Sequence, residues 1–168
     1  MTFAEALRIV LALEGGLVDD PRDPGGVTRH GISLRFLRGV LPGADADTVR
    51  SLTLEQARGL YRRHFWQACR CGDMPPGLDL CLFDGAVNQG RGAAARLLQR
   101  AVGAVADGAI GPATLTAVRA ADPVTLIQDF LARRAKRYAA APAVSTFGRG
   151  WYRRLFAIHR RALEEARA

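Results

Sequence analysis

The first residues of this chain that can do chemistry lie where its first predicted helix ends. A helical apolar stripe runs along residues 3–13, and Glu14 continues it at the same spacing. The stripe consists of Phe3, Leu7, Val10 and Leu11. A carboxyl group at the end of an apolar stripe loses hydration, which penalises its charged form and raises its pKa. Glu14 is therefore a candidate proton donor near neutral pH.

Asp23 and Thr28 follow Glu14 in a segment rich in turn residues, DDPRDPGG. Such a segment folds back on itself, so it can bring both side chains opposite the helix end. Asp23 would stabilise positive charge at a sugar ring or orient a water molecule, and Thr28 would hold that water. Two carboxyl groups in unlike environments are suited to hydrolysis of a glycosidic bond. The structural alternative is that Glu14 ends a solvated helix and the Asp-Pro dipeptides form ordinary turns.

The elements that position these residues are predicted to be mostly helical. The helix over 3–13 ends at a glycine break, and turn residues dominate as far as residue 31. Within this break, short extended segments at 17–18 and 27–32 are expected to pair as a small β-hairpin lip. A last amphipathic helix is predicted over roughly 150–166. Helix-start signals lie between these elements, at Ser33, Thr53 with Gln56, Pro112, and Asp122 with Pro123.

Composition limits the class of protein and of partner. With 168 residues, of which 49% are hydrophobic and 24% charged, the chain fits one globular domain or one body with a small lobe. Its net charge of +8 attracts polyanions, which include nucleic acid, an anionic membrane surface and an acidic wall polymer. A solvated basic surface without a dedicated partner is the alternative. The C-terminal basic face comprises Arg133, Arg134, Lys136, Arg137, Arg149, Arg153, Arg154, Arg160 and Arg161.

The cysteines and the N-terminal residues indicate the cellular compartment in which the protein is made. Cys69, Cys71 and Cys81 are odd in number, and the Cys69-x-Cys71 pair is too tightly spaced for a usual zinc site, so we expect reduced or buried thiols and no metal. The first residues lack the basic start and cleavage site of a signal peptide, and no apolar stretch is long enough to span a bilayer. We therefore expect synthesis in the cytoplasm and no stable membrane insertion.

The whole stretch EGGLVDDPRDPGGVTRHGIS resembles the signature of glycoside hydrolase family 108, phage-type N-acetylmuramidases that cleave peptidoglycan. LYRRHFWQACRCGDMPPGLDLCLFDGAVNQG is similar to the second block of that family. LLQRAVGAVADGAIGPATLTAV and FGRGWYRRL resemble its peptidoglycan-binding region. Two departures lie in the first block, because Leu17 replaces a common aromatic residue and Arg29-His30 replaces the usual pair before Gly31. The second block matches at Trp66, Asp73, Pro76, Asp84 and Asn88.

The resemblance implies a lysozyme-like helical domain that cleaves the β-1,4 bond between N-acetylmuramic acid and N-acetylglucosamine. Glu14 takes the role of catalytic acid, and Asp23 and Thr28 carry over from the phage-lysozyme pattern. Residues 1–90 would form the catalytic region and 91–168 a helical peptidoglycan-binding-like region, packed into one body. Substrate contacts are assigned to Asp20, His30, Trp66, Asn88 and Gln89. The structural alternatives are that His30 is an exposed histidine in a turn, that Trp66 is a core residue, and that Asn88 and Gln89 cap a helix.

The same resemblance implies a partner and a place of action. We expect a monomer that binds peptidoglycan glycan strands and uses no cofactor, metal or nucleic acid. Without a signal peptide, it would reach the wall through a holin-like membrane lesion or as a phage-particle component. The basic C-terminal face would attract the carboxylates of peptidoglycan stem peptides, and most of it would be solvated.

Three other functions stay open at this point. A lytic transglycosylase would use a similar acid, but the sugar's own hydroxyl would attack. A wall-binding module would keep the contacts without turnover, and the departures at Leu17 and His30 leave this alternative open. The third alternative is a basic helical protein that binds nucleic acid. It is supported by net charge alone, since no arginine-rich helix is paired with an evident base-reading element.

Overall fold

The computed structural model describes residues 1–14 and 26–168, without the side chain of Glu14. The fold is mainly α with one small antiparallel sheet near the N-terminus, as predicted. A π-helix, Arg62–Gln67, continues α4, and a 3-10 turn follows at Cys71–Asp73. The helices are α1 Phe3–Glu14, α2 Leu34–Val40, α3 Ala46–Arg50, α4 Leu54–Tyr61, α5 Leu78–Gln89, α6 Arg91–Ala101, α7 Pro112–Ala120, α8 Pro123–Ala139 and α9 Val144–Ala166; the strands are β1 Thr28–Arg29 and β2 Ile32–Ser33.

Local hydrogen bonds explain where several helices begin. The Ser33 side chain accepts a hydrogen bond from the backbone N–H of Phe36 and caps α2. Thr53 and Gln56 form the predicted capping box of α4, each side chain accepting from the backbone N–H of the other residue. Proline occupies the first turn of α7 and α8, as predicted.

The smaller of two compact units, Leu7–Arg62, contains the hairpin. Thr28 pairs with Ser33 and Arg29 with Ile32, so the whole hairpin spans six residues. The connection is a two-residue turn in which His30 (φ +51°) and Gly31 (φ +75°) both have positive φ, the conformation that favours tight hairpins. The prediction of one extended segment over 27–32 is therefore wrong, because the chain reverses at His30. Residues 17–18 lie outside the described residues.

The larger unit comprises Met1–Ala6 and Arg63–Ala168, with α5 at its centre. Residues 78–86 of α5 are all buried, and the helix packs against α6, α8 and α9. Gly77, just before α5, has φ +82°, and a Cβ there would lie 2.2 Å from the backbone oxygen of Ala162. Only glycine fits this close approach of α5 to α9. The predicted boundary between a catalytic region, 1–90, and a peptidoglycan-binding-like region, 91–168, lies between α5 and α6, which pack together in this unit. The division of function between the two regions stays a prediction.

Helix α9 is longer than predicted, because it begins at Val144 rather than near Gly150. Gly148 is buried inside it, and a Cβ there would lie 2.9 Å from Cγ2 of Val144. Gly148 therefore serves close packing inside α9 and does not mark the helix start. Among the described helices, none combines the length and apolar character needed to cross a bilayer.

The three cysteines are free and buried, as predicted. Burial raises the pKa of Cys69 to about 11 and raises the pKa values of Cys71 and Cys81 as well. Because the thiolate is the reactive form, each thiol is a poor nucleophile in the folded protein.

We expect Ellman's reagent to label the folded protein about 100-fold more slowly than the chain unfolded in guanidinium, where all three thiols react. Absorbance of the released nitrothiobenzoate measures both rates. Rapid labelling of one thiol in the folded protein would contradict the buried positions.

Candidate functional site

The backbone of the predicted acid lies at the end of α1. Glu14 is the last residue of this helix and follows Val10 by one helical turn. Val10 is fully buried and Leu7 is 3% exposed, so the predicted apolar stripe is the buried face of the helix. The Glu14 side chain, Asp20 and Asp23 lie outside the described residues, and their roles stay predictions.

Thr28 and His30 are held by the hairpin. The Thr28 hydroxyl donates a hydrogen bond to the backbone oxygen of Gly26 at 3.2 Å, and its oxygen accepts no hydrogen bond from the residues that the structure describes. The backbone oxygen of His30 accepts a hydrogen bond of 3.1 Å from the Tyr61 hydroxyl, which ties the turn to the end of α4. Both Thr28 and His30 are half-buried, which gives them a fixed backbone with partial access to solvent.

Trp66 lies in an aromatic cluster of the larger unit. Its side chain is 8% exposed and packs edge-to-face against Phe3 and Phe83, with ring centroids 5.7 Å and 5.5 Å away. Such packing favours the core alternative for this residue. Its assignment as a sugar contact stays a prediction.

The larger unit brings Asn88 and Gln89 together with side chains that the sequence analysis did not single out as site residues. They line an open pocket of about 500 Å³ with the C-terminal end of α8 and the first turns of α9. Trp151 stacks on Tyr138, with a centroid separation of 5.2 Å and an interplanar angle of 25°. The full lining is Asn88, Gln89, Arg137, Tyr138, Ala140, Ala141, Pro142 and Trp151. We call it the Trp151 pocket.

The polar groups of the Trp151 pocket have defined hydrogen-bond states. The Tyr138 hydroxyl donates to Oδ1 of Asn88, which leaves the amide N–H groups of Asn88 for other partners. Burial raises the pKa of Tyr138, so the phenol stays protonated as a donor. Nε2 of Gln89 donates to the backbone oxygen of Arg134 at 3.4 Å, whereas its Oε1 is buried and accepts no hydrogen bond from the described residues.

A buried charge cluster beneath this pocket joins three helices. Asp84 of α5, which is fully buried, accepts from Nη2 of Arg134 at 2.7 Å and from Nε of Arg154 at 2.8 Å. Arg134 also donates to the Tyr138 hydroxyl at 3.3 Å. Burial lowers the pKa of Arg134, but the charge and hydrogen bond of Asp84, together with Tyr138 and Cys81, raise it, and the net pKa is raised. The cluster therefore fixes Tyr138, and through it Asn88.

Arg137 connects the pocket to a second, polar hollow of about 240 Å³. This hollow lies between α6 and α8, and its lining includes the guanidinium groups of Arg96, Arg100 and Arg137, all exposed. Three cations beside an aromatic and amide-lined pocket suit a ligand with amide groups and carboxylates. No group of three or more His, Cys, Asp or Glu side chains that could hold a metal occurs within the described ranges.

Comparisons with known proteins agree with this arrangement. The family model described as glycosyl hydrolase 108 matches residues 7–90, and the model described as a predicted peptidoglycan domain matches residues 93–156. Among solved structures, the chain is similar to Brucella abortus SagA, at 36% identity and a TM-score of 0.94. That alignment covers 99% of this chain and 96% of the other. No curated protein matches the sequence at a significant level.

These matches place the Glu14 backbone and the hairpin within the hydrolase part, and α6 to the middle of α9 within the peptidoglycan part. They bear out the family and the lysozyme-like fold that the sequence predicted. The chain belongs to the glycosyl hydrolase 108 family, and it is a glycosidase that acts on peptidoglycan of the bacterial cell wall.

Proposed function

We propose that the protein is an N-acetylmuramidase that hydrolyses the β-1,4 bond between N-acetylmuramic acid and N-acetylglucosamine. Glu14 protonates the departing glycosidic oxygen as general acid. The observation that carries this proposal is the match of the hydrolase family to residues 7–90, in which Glu14 ends a helix whose buried face it continues. A carboxyl that loses hydration at the end of an apolar stripe would favour the protonated form that the step requires.

Asp23 and Thr28 complete the proposed chemistry. Asp23 stabilises the oxocarbenium-like transition state or positions the attacking water, and Thr28 holds that water. The hydrogen bond from Thr28 to Gly26 supports this role, because it orients the hydroxyl and leaves its oxygen able to accept from water. Asp20 and His30, in the same segment of the sequence, are proposed to contact the sugars.

The Trp151 pocket is proposed to hold a second part of the same substrate, an N-acetyl or stem-peptide group of the wall. Trp151 offers an apolar face, Asn88 offers amide donors, and Arg137 lies beside them to bind a carboxylate. The pocket would thus bind the wall while Glu14 cleaves it.

Trp151→Ala should lower the affinity for purified sacculi by about tenfold or more, because a half-exposed tryptophan in a pocket is typical of residues that dominate binding. Co-sedimentation with sacculi measures this, and cleavage of short soluble glycan fragments should be nearly unchanged. Phe156→Ala is the matched control, since Phe156 is an exposed aromatic on the same helix outside the pocket. Equal sacculus affinity of the two variants would contradict the pocket's role.

Hydrolysis itself is tested by measuring the reducing ends that the wild-type protein releases from purified peptidoglycan. We expect release that rises with time and enzyme concentration, together with loss of turbidity of the wall suspension. Tight sedimentation with sacculi without any release of reducing ends would instead indicate a non-catalytic binding module.

A further inference from the structure

The outward face of α9 carries a row of arginines that the wall-binding proposal does not use. Arg149, Arg153 and Arg160 follow one another at intervals of four and seven residues, so they lie on one face of the helix, and Arg167, the C-cap residue, continues the row seven residues later. All four are exposed, and within the described residues none forms an ion pair. Glu164, the nearby acid, pairs with Arg161 instead. We call these four residues the arginine stripe; it is about 27 Å long at 1.5 Å per residue.

An aromatic side chain interrupts the arginine stripe. Phe156 is 68% exposed and lies on the same helical face, between Arg153 and Arg160. Phe156 therefore places an exposed apolar side chain within the row of cations.

An open apolar groove of about 210 Å³ runs beside Phe156, between α8 and α9. Its walls are mostly aliphatic, and a further hollow of about 410 Å³ with largely apolar walls continues it at His159 towards Arg167. On α8, the exposed Lys136 follows Ala132 of the groove by one helical turn. The groove is lined by Gln128, Leu131, Ala132, Ala135, Leu155, Phe156 and His159.

We propose that this face of α8 and α9 binds the surface of a membrane that contains anionic phospholipid. Lipid phosphates complement the arginine stripe and Lys136, while the hydrocarbon just below the headgroups accepts Phe156 and contacts the groove. A straight row of charges on one helix fits a flat surface. The contact is peripheral, since none of the described helices could span the bilayer.

The apolar groove distinguishes a lipid surface from other polyanions as the partner of this face. Nucleic acid and wall glycan offer charge or hydroxyl groups, but neither fills a groove walled by Leu131, Leu155 and alanine side chains. A hydrocarbon layer satisfies both the cations and the apolar groove. Binding to such a surface would keep the enzyme at the membrane face of the wall that it cleaves.

Co-sedimentation of the full chain with phosphatidylcholine vesicles, with and without phosphatidylglycerol, tests the charge part. The wild type should bind the anionic vesicles and bind pure phosphatidylcholine far more weakly. Arg153→Gln/Arg160→Gln should weaken anionic binding roughly 30-fold, since each basic residue near the surface contributes about fivefold. The control Arg35→Gln/Arg119→Gln removes the same charge from exposed positions on α2 and α7 and should stay within about threefold of wild type.

The apolar part is tested with two serine substitutions on the same helix. Phe156→Ser should weaken anionic-vesicle binding about tenfold, and the loss should persist at high salt, because it removes hydrocarbon contact rather than charge. Phe147→Ser is the control, because Phe147 is 58% exposed but lies nine residues away, half a turn around the helix. It should leave vesicle binding unchanged.

The proposal would be overturned if the arginine-stripe double variant and its charge-matched control lost equal affinity for anionic vesicles. It would also be overturned if the wild type bound vesicles equally well with and without the anionic lipid. A salt-resistant complex with single- or double-stranded DNA that requires Arg153 and Arg160, with no vesicle binding, would also overturn it in favour of nucleic acid. The vesicles contain no peptidoglycan, so Glu14→Gln should bind them like wild type, and failure here leaves the proposed hydrolysis untouched.

Discussion

Glu14→Gln is expected to lower the rate of reducing-end release from peptidoglycan about 10³-fold, while the fold and the affinity for sacculi stay as in the wild type. Glutamine has the size of glutamate and keeps its hydrogen-bonding oxygen, but it cannot donate a carboxyl proton to the glycosidic oxygen. Because the position ends α1 and follows the buried stripe, the substitution leaves the packed part of the helix unchanged.

The matched control is Glu55→Gln, an exposed acid in the first turn of α4 in the same compact unit. Glu55 forms an exposed ion pair with Arg58 at 3.8 Å, a contact that contributes little, so activity should stay near wild type. Circular dichroism and sacculus co-sedimentation check both proteins. Near-normal lysis by Glu14→Gln would remove Glu14 from the catalytic role.

Asp84→Asn is expected to lower the free energy of unfolding by about 3–5 kcal/mol. The substitution removes the negative charge that Arg134 and Arg154 share, at 2.7 Å and 2.8 Å, inside the larger unit. Both guanidinium groups then stay buried without a counter-charge, which costs more than the loss of the pair alone. Urea unfolding followed by tryptophan fluorescence measures the change.

Asp129→Asn serves as the control for this prediction. Asp129 pairs with Arg133 at 2.9 Å on the same helix as Arg134, but both partners are partly exposed, so the expected loss is below about 1 kcal/mol. Similar unfolding free energies for the two variants would contradict a structural role for the buried cluster. If Asp84→Asn does not fold at all, Arg154→Gln, which keeps the contact of Asp84 with Arg134, should fold with a smaller loss.

The sequence predicted the helices well because their signals are local. The Thr53 capping box and the prolines of α7 and α8 act within one helical turn, and the structure has helices at each of them. The sequence predicts the hairpin in the right region, but one extended segment over 27–32 is wrong, because the chain reverses at His30, a residue type that is uncommon at positive φ; the segment 17–18 lies outside the described residues. The sequence predicts the start of the last helix near Gly150, whereas α9 begins at Val144 and passes through the buried Gly148.

The residues of the candidate site also divide into those that local sequence signals predict and those that depend on contacts between distant helices. Asn88 and Gln89 were identified from the sequence, but the Trp151 pocket around them depends on α8 and α9, which contribute residues about 50 to 60 positions later. No periodicity within one element reports such a contact. The i, i+4 pair of Arg134 and Tyr138 was a local signal, and FGRGWYRRL resembled the peptidoglycan-binding region, yet neither one indicated that Asp84 joins them.

The central claim is that this glycosidase hydrolyses the bond on the reducing side of N-acetylmuramic acid. Mass spectrometry of the products from a wild-type digest of purified peptidoglycan, before and after borohydride reduction, tests it most directly. We predict fragments that end in reducing N-acetylmuramic acid and gain two hydrogens on reduction. Fragments that end in anhydro-muramic acid would identify a lytic transglycosylase, and reducing N-acetylglucosamine ends would place the cleavage at the other bond; either result contradicts the account.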